Sequence, residues 1–252
     1  MKAMSKFWTA LVVGIAVGVT FLWTTPAKAG PLTVTTMTWS DFSDHYLGPL
    51  FAPAVTDYFD FAPANDPTQP PYPPVPYDGE VISAVYSGKP GSSAEGLYVY
   101  LYQLKIYPSS SASFISGIAF NLLTPTPPAL VDGNHVINIG DAPILFGPAN
   151  TSSKVGSADW GLNFPPTTSQ ISFDLNPKLY KDQTPPYDED MISYVWAFFH
   201  PLPPTLIGSN PKDGGNDLRN PLVYTPSPEP STFLLLGFGL LGLVGSCRRK
   251  KA

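Results

Sequence analysis

Leu97-Tyr98-Val99-Tyr100-Leu101-Tyr102-Gln103-Leu104-Lys105-Ile106-Tyr107 alternates with a period of two, yet both of its faces are apolar. Successive side chains of a strand point to opposite sides. Tyr98, Tyr100, Tyr102, Leu104 and Ile106 therefore share one face, and Leu97, Val99 and Leu101 share the other. Such a segment reads as a central strand covered on both sides, or as one lying beneath an aromatic surface. Glu80 to Ser87 precedes it as a second strand-like run, and Phe114, Ile118, Phe120 and Leu122 continue the same period after it. Further from this centre, Ser169 to Leu175 sets Ile171, Phe173 and Leu175 against Ser172 and Asp174, and Met191 to His200 is apolar on both faces. Leu32 to Trp39, His135 to Ile139, Ile144 to Phe146 and Asp159 to Phe164 are shorter candidates, with Thr205 to Gly208 and Leu222 to Thr225 expected as edges.

Proline punctuates everything between. Its 31 copies in 252 residues, about 12% against an average near 5%, exclude helix interiors and central strands from much of the chain. A long loop is expected after Trp39, through Pro53, Pro63 and Pro67 to the run Pro70-Pro71-Tyr72-Pro73-Pro74-Val75-Pro76, which favours polyproline II. Nowhere in the body does an i, i+3, i+4, i+7 pattern persist for three turns. The pattern predicts an all-β fold: one antiparallel β-sandwich, Ig-like or jelly-roll-like, with long proline-rich loops over residues 30–222. A two-domain division at Pro125-Thr126-Pro127-Pro128 is the alternative to a surface loop there.

Charge is segregated. Lys2, Lys6 and Lys28 lie at one extremity and Arg248, Arg249, Lys250 and Lys251 at the other; the stretch between holds 7 basic and all 19 acidic residues, a net of −12. An acidic body is repelled by phosphate backbones, so no nucleic-acid partner is expected. Cys247 is the only cysteine, which excludes an intramolecular disulfide and leaves stability to core burial.

The extremities read as processing segments. Lys2 and Lys6 precede an apolar run from Ala10 to Trp23, then Pro26 and Ala27-Lys28-Ala29, an A-x-A site. This predicts a signal peptide over 1–29, cut before Gly30 by signal peptidase, rather than an uncleaved anchor. Residues 223–252 carry a proline-rich linker, Pro228-Glu229-Pro230, an uncharged Leu/Gly-rich run from Phe233 to Ser246, and the basic cluster Arg248 to Lys251. A short apolar span closed by cations is a stop-transfer element, a single transmembrane helix with its basic end on the cytoplasmic side.

Tripeptide, span and basic end in this order resemble the PEP-CTERM sorting signal of Gram-negative bacteria. The resemblance implies recognition at Pro228, Glu229 and Pro230 by an exosortase, transient anchoring in the membrane, and a host that makes exopolysaccharide or biofilm matrix. Bodies of such proteins often carry a tyrosine-rich strand like Tyr98 to Gln103 and an aromatic strand like Ser193 to Phe199. The plain alternative is a permanent anchor after a proline-rich stalk.

Catalytic machinery does not stand out. His45, His135 and His200 are widely spaced, and no H-E-x-x-H, G-x-S-x-G or Walker motif is present. Gly88-Lys89-Pro90-Gly91-Ser92 has a superficial likeness to a phosphate loop, but Pro90 removes a needed N–H. Asp57 with Asp60, and Asp188-Glu189-Asp190, are the carboxylates a glycoside hydrolase would use, although neighbours on an extended chain point apart. No catalytic residue, cofactor or metal is expected. A calcium ion would find its ligands at Asp188, Glu189 and Asp190, or at Asp213-Gly214-Gly215-Asn216-Asp217, where turn chemistry is the simpler account. Tyr72, Tyr77 and the Tyr98/Tyr100/Tyr102 ladder are surfaces on which a sugar could stack; core packing is the competing use.

The expected protein is a non-enzymatic structural or binding component, exported across the inner membrane and associated with extracellular polysaccharide at the cell surface or in the matrix. The alternatives are a secreted polysaccharide-active hydrolase, using Asp57, Asp188 or Glu189, and a permanently anchored adhesin.

Overall fold

The computed structural model describes residues 30–60, 77–108, 114–163, 168–182, 188–212 and 221–228. The elements among them are, in chain order, β1 (Gly30–Leu32), β2 (Val34–Met37), α1 (Trp39–Tyr46), β3 (Leu47–Phe59), β4 (Gly79–Gly88), β5 (Tyr98–Ile106), β6 (Phe114–Leu122), β7 (Val136–Ile139), β8 (Val155–Leu162), β9 (Ser169–Tyr180), β10 (Met191–Ile192), β11 (Val195–His200), β12 (Pro204–Lys212) and β13 (Leu222–Pro226). They form two packed sheets, one ordered β1-β8-β9-β6-β12-β13 and the other β2-β7-β11-β5-β4-β3, with β10 paired beside β11 on β5. Every pairing is antiparallel except that of β2 with β7. The expected β-sandwich is therefore present, with one parallel pair. Both sheets take strands from before and after Pro125–Pro128.

The tyrosine-rich stretch is the central strand β5, and both of its faces are buried. Tyr100, Tyr102, Leu104 and Ile106 fill the space between the sheets with Phe120, Phe173, Trp196 and Phe198. The rings pack face to face: Tyr100 on Phe198 with centroids 5.1 Å apart, and Tyr102 on Phe120 at 4.7 Å. On the outer side, Val99 and Leu101 join Phe199, Ile137 and Ile139 in a second cluster. Each large side chain so buried stabilises the fold by roughly 1.5–3 kcal/mol.

That second cluster explains α1, which stands where a loop was expected. Thr38 caps the helix, its hydroxyl oxygen accepting from the Asp41 N–H at 3.2 Å and donating to the Asp41 carboxylate at 2.8 Å. The Thr-x-x-Asp spacing is a capping-box pattern. Phe42 and Tyr46, one turn apart, drop onto the outer face of the second sheet, with Tyr46 edge-on to Phe199 at 5.3 Å. Two turns suffice because the helix is held by packing rather than by its own length.

Several strand boundaries differ from the expected ones. The first run, Leu32 to Trp39, breaks at Thr33, where the chain passes from one sheet to the other; the Thr33 hydroxyl donates to the Gly133 carbonyl at 2.9 Å. β3 occupies part of the expected loop despite Pro49 and Pro53, because an edge strand tolerates missing donors. Its register against β4 shifts three times between Leu47 and Val55. Ile144 to Phe146 is a turn, with Leu145 at φ 62° and the buried Gln103 amide holding Phe146 N–H (2.9 Å) and the Gly147 carbonyl (2.8 Å). β8 begins at Val155, ahead of the predicted Asp159, and β12 lies inside its sheet between β6 and β13. The polyproline run at residues 70–76 lies outside the described residues.

Candidate functional site

Two places on this scaffold carry functional potential: an open polar cleft beside α1, and the strand that leads into the sorting segment.

The cleft of about 440 Å³ is lined by Asp44 and His45 from the last turn of α1, by the turn Lys89 to Ser93 after β4, and by Asp132 before β7. Asp132 adopts φ 48° and is followed by Gly133 at φ 80°, so the hairpin tip turns in left-handed backbone that asparagine, aspartate and glycine tolerate best. Its Oδ2 accepts from the Ser93 hydroxyl at 2.7 Å and from the Tyr46 hydroxyl at 3.0 Å. Burial, then the bond to this carboxylate, pushes the Tyr46 hydroxyl up to about 12, so it stays a donor. Lys89 donates to the Asp44 carbonyl, and the His45 Nδ1 lies 2.6 Å from the Asp41 carbonyl, which makes Nδ1 the protonated nitrogen. The Gly88–Ser92 turn spends its donors internally: Gly91 N–H goes to the Glu95 carboxylate at 2.8 Å and Gly88 N–H to the Leu97 carbonyl at 2.7 Å. It is therefore no phosphate cradle. The cleft presents carboxylate and hydroxyl groups already oriented by protein bonds.

The histidines occupy separate settings. His135 accepts the Thr33 N–H on Nδ1 at 3.2 Å. His200 is fully buried, with Nε2 3.2 Å from the Thr126 carbonyl and Nδ1 accepting from Leu202 N–H at 3.1 Å. Burial lowers its pKa to about 4, the Thr126 bond opposing in part, so it is a neutral structural group.

The proposed carboxylates occupy different settings. Asp57 accepts the Tyr58 and Leu222 N–H groups, both at 2.9 Å. Asp188 and Glu189 are exposed, while Asp190 lies 3.6 Å from Lys105, which also meets Glu80 at 3.0 Å. Among the described residues no three His, Cys, Asp or Glu side chains gather as a metal would require. Residues 213–217 lie outside the described set. Of the proposed sugar platforms, Tyr100 and Tyr102 are sealed in the core, Tyr77 stacks on Tyr58 at 4.4 Å, and Tyr72 lies outside the described residues.

β13 carries the second feature. It is the edge strand of its sheet, and its free side is closed by side chains of the other sheet. Ser83 Oγ accepts the Tyr224 N–H at 3.1 Å, Tyr102 donates its hydroxyl to the Tyr224 carbonyl, and Asp57 takes the Leu222 N–H. After Pro226 the Ser227 N–H donates to the Pro203 carbonyl at 3.0 Å and the Ser227 hydroxyl to the Pro228 carbonyl at 3.3 Å. Glu229, Pro230, Ala27, Ala29, the apolar run Phe233–Ser246 and the cluster Arg248, Arg249, Lys250 and Lys251 lie outside the described residues; Gly30 opens β1, opposite Trp160. No helix among the described residues is long and apolar enough to cross a membrane.

The family model described as the PEP-CTERM protein-sorting motif matches residues 228–250, so the chain carries that motif, which implies an exported protein sorted by an exosortase. No curated protein and no solved structure matches the chain.

The polar cleft was not legible as a unit. Lys89 and His45 were visible as residues, but only strand pairing brings Asp44, Ser93 and Asp132 together.

Proposed function

We propose that the body is a non-enzymatic matrix or envelope component that associates with extracellular polysaccharide after signal peptidase and exosortase have acted. The observation that carries this reading is the PEP-CTERM motif at 228–250, joined without a spacer to a closed β-sandwich. The carboxylates suggested for hydrolysis support it as well. Asp57 is bonded to backbone amides and Asp190 is paired with Lys105, which are structural uses. The open cleft with Asp44, Ser93 and Asp132 is the surface on which hydroxyl-rich chains would make weak, repeated contacts. The test is incubation of the purified protein with matrix glycans. Saturable binding without products is expected, and weakening on Asp132→Ala would locate it. Product release that disappears on Asp57→Asn or Glu189→Gln would replace this reading with the hydrolase.

A further inference from the structure

Ser227 leaves the sandwich beside a turn built on His200. Phe199 of β11 pairs with Ala129, His200 bonds Thr126, the Leu202 carbonyl accepts the Tyr100 hydroxyl at 2.8 Å, and Pro203 accepts Ser227. The segments gathered around this exit are residues 47–56, 81–88, 97–104, 120–131, 195–210 and 222–228, and they contain no Asp, Glu, Lys or Arg. Their one histidine, His200, is buried. The body as a whole is strongly acidic, so these segments form an uncharged rim beside the charged cleft.

What that rim exposes is apolar. Leu50, Phe51, Leu123, Leu130 and Leu206 are each between 44% and 59% exposed. Contacts tie them to the exit: Phe51 packs on Tyr98 at 4.7 Å, and Tyr98 pairs with His200. Leu206 follows Pro204, which pairs with Pro226. Leu123 and Leu130 flank the segment that bonds His200. The first charges beyond the rim, Lys89, Glu95 and Asp132, already hold partners in and beside the cleft.

Chain length says what covers this rim. Only Glu229–Thr232 separates Pro228 from the apolar run at Phe233. Fully extended, that connection reaches about 17 Å. The headgroup layer takes up roughly 6 Å of it. Before cleavage the exit thus stays within about 10 Å of the headgroups, whatever path the connection takes. We propose that the uncleaved protein rests on its own phospholipid bilayer through this rim, with Leu50, Phe51, Leu123, Leu130 and Leu206 touching the lipid interface. No charge has to be desolvated there, and exposed apolar area is covered. The proposal rests on the sorting reading, in which Phe233–Ser246 spans the membrane.

The test uses the full chain with Cys247→Ser, reconstituted into phosphatidylcholine vesicles that carry a headgroup quencher. A fluorophore is placed in turn at Leu50→Cys, Leu206→Cys and Tyr180→Cys, the last opposite Phe114 at the far end of β6. Quenching severalfold stronger at 50 and 206 than at 180 is expected. Equal, weak quenching at all three positions on vesicle-bound protein would overturn the surface alone. A chain that fails to float with the vesicles would overturn the surface and the sorting reading together.

Discussion

A β-carbon at Gly88 would stand 1.7 Å from the Ala94 carbonyl oxygen, in the backbone of the turn that walls the cleft. Backbone cannot swing aside as a side-chain end can, so Gly88→Ala is expected to lose about 2 kcal/mol or more, read as a lower denaturant midpoint with an unchanged slope. His200 makes the second prediction at this scale. Its folded pKa of about 4 lies below the usual 6.5 because the ring is buried. Between these values the unfolded chain binds a proton that the folded one refuses, so stability is lost as pH falls from 6.5 towards 4 and levels off below. The full effect is about 3 kcal/mol. Subtracting the pH profile of His200→Gln from that of the unmodified protein isolates this share; a flat difference would contradict it. The run apolar on both faces that ends at His200 pointed to a buried strand, but not to the Thr126 carbonyl that satisfies the ring, which is remote in the chain.

Among the elements, β13 and α1 are held in opposite ways. β13 buries Val223, pairs with β12 and is secured on its free side by Tyr102, Ser83 and Asp57 from the facing sheet. An unpaired strand edge invites association, and side-chain bonds close this one. Tyr102→Phe leaves the Tyr224 carbonyl without its donor and should cost about 1–3 kcal/mol, with faster hydrogen exchange confined to Leu222–Tyr224 and its neighbours on β12. α1 depends instead on its cap and on Phe42. Thr38→Ala should cost about 1 kcal/mol and Phe42→Ala about 3–5 kcal/mol, both measurable by equilibrium denaturation. The helix escaped the periodicity criterion because it spans two turns, and β3 escaped the strand criterion because prolines are harmless on an edge.

For the whole molecule, the PEP-CTERM motif implies export and sorting by an exosortase. Mass spectrometry of the mature form should find Gly30 at the start and an end near Pro230 or earlier; retention of Phe233–Ala252 would contradict exosortase processing. The sorting motif at residues 228–250 and the predominance of strands were readable directly, because both are local. A signal is a string of residue types in order, and a two-residue apolar period with frequent proline leaves few alternatives to sheet. The face of the tyrosine ladder that is sealed in the core, the cleft around Asp132, and the uncharged rim around Ser227 were decided only by tertiary structure. Each is assembled from segments scores of residues apart, and only the pairing of strands across two sheets determines which of them become neighbours.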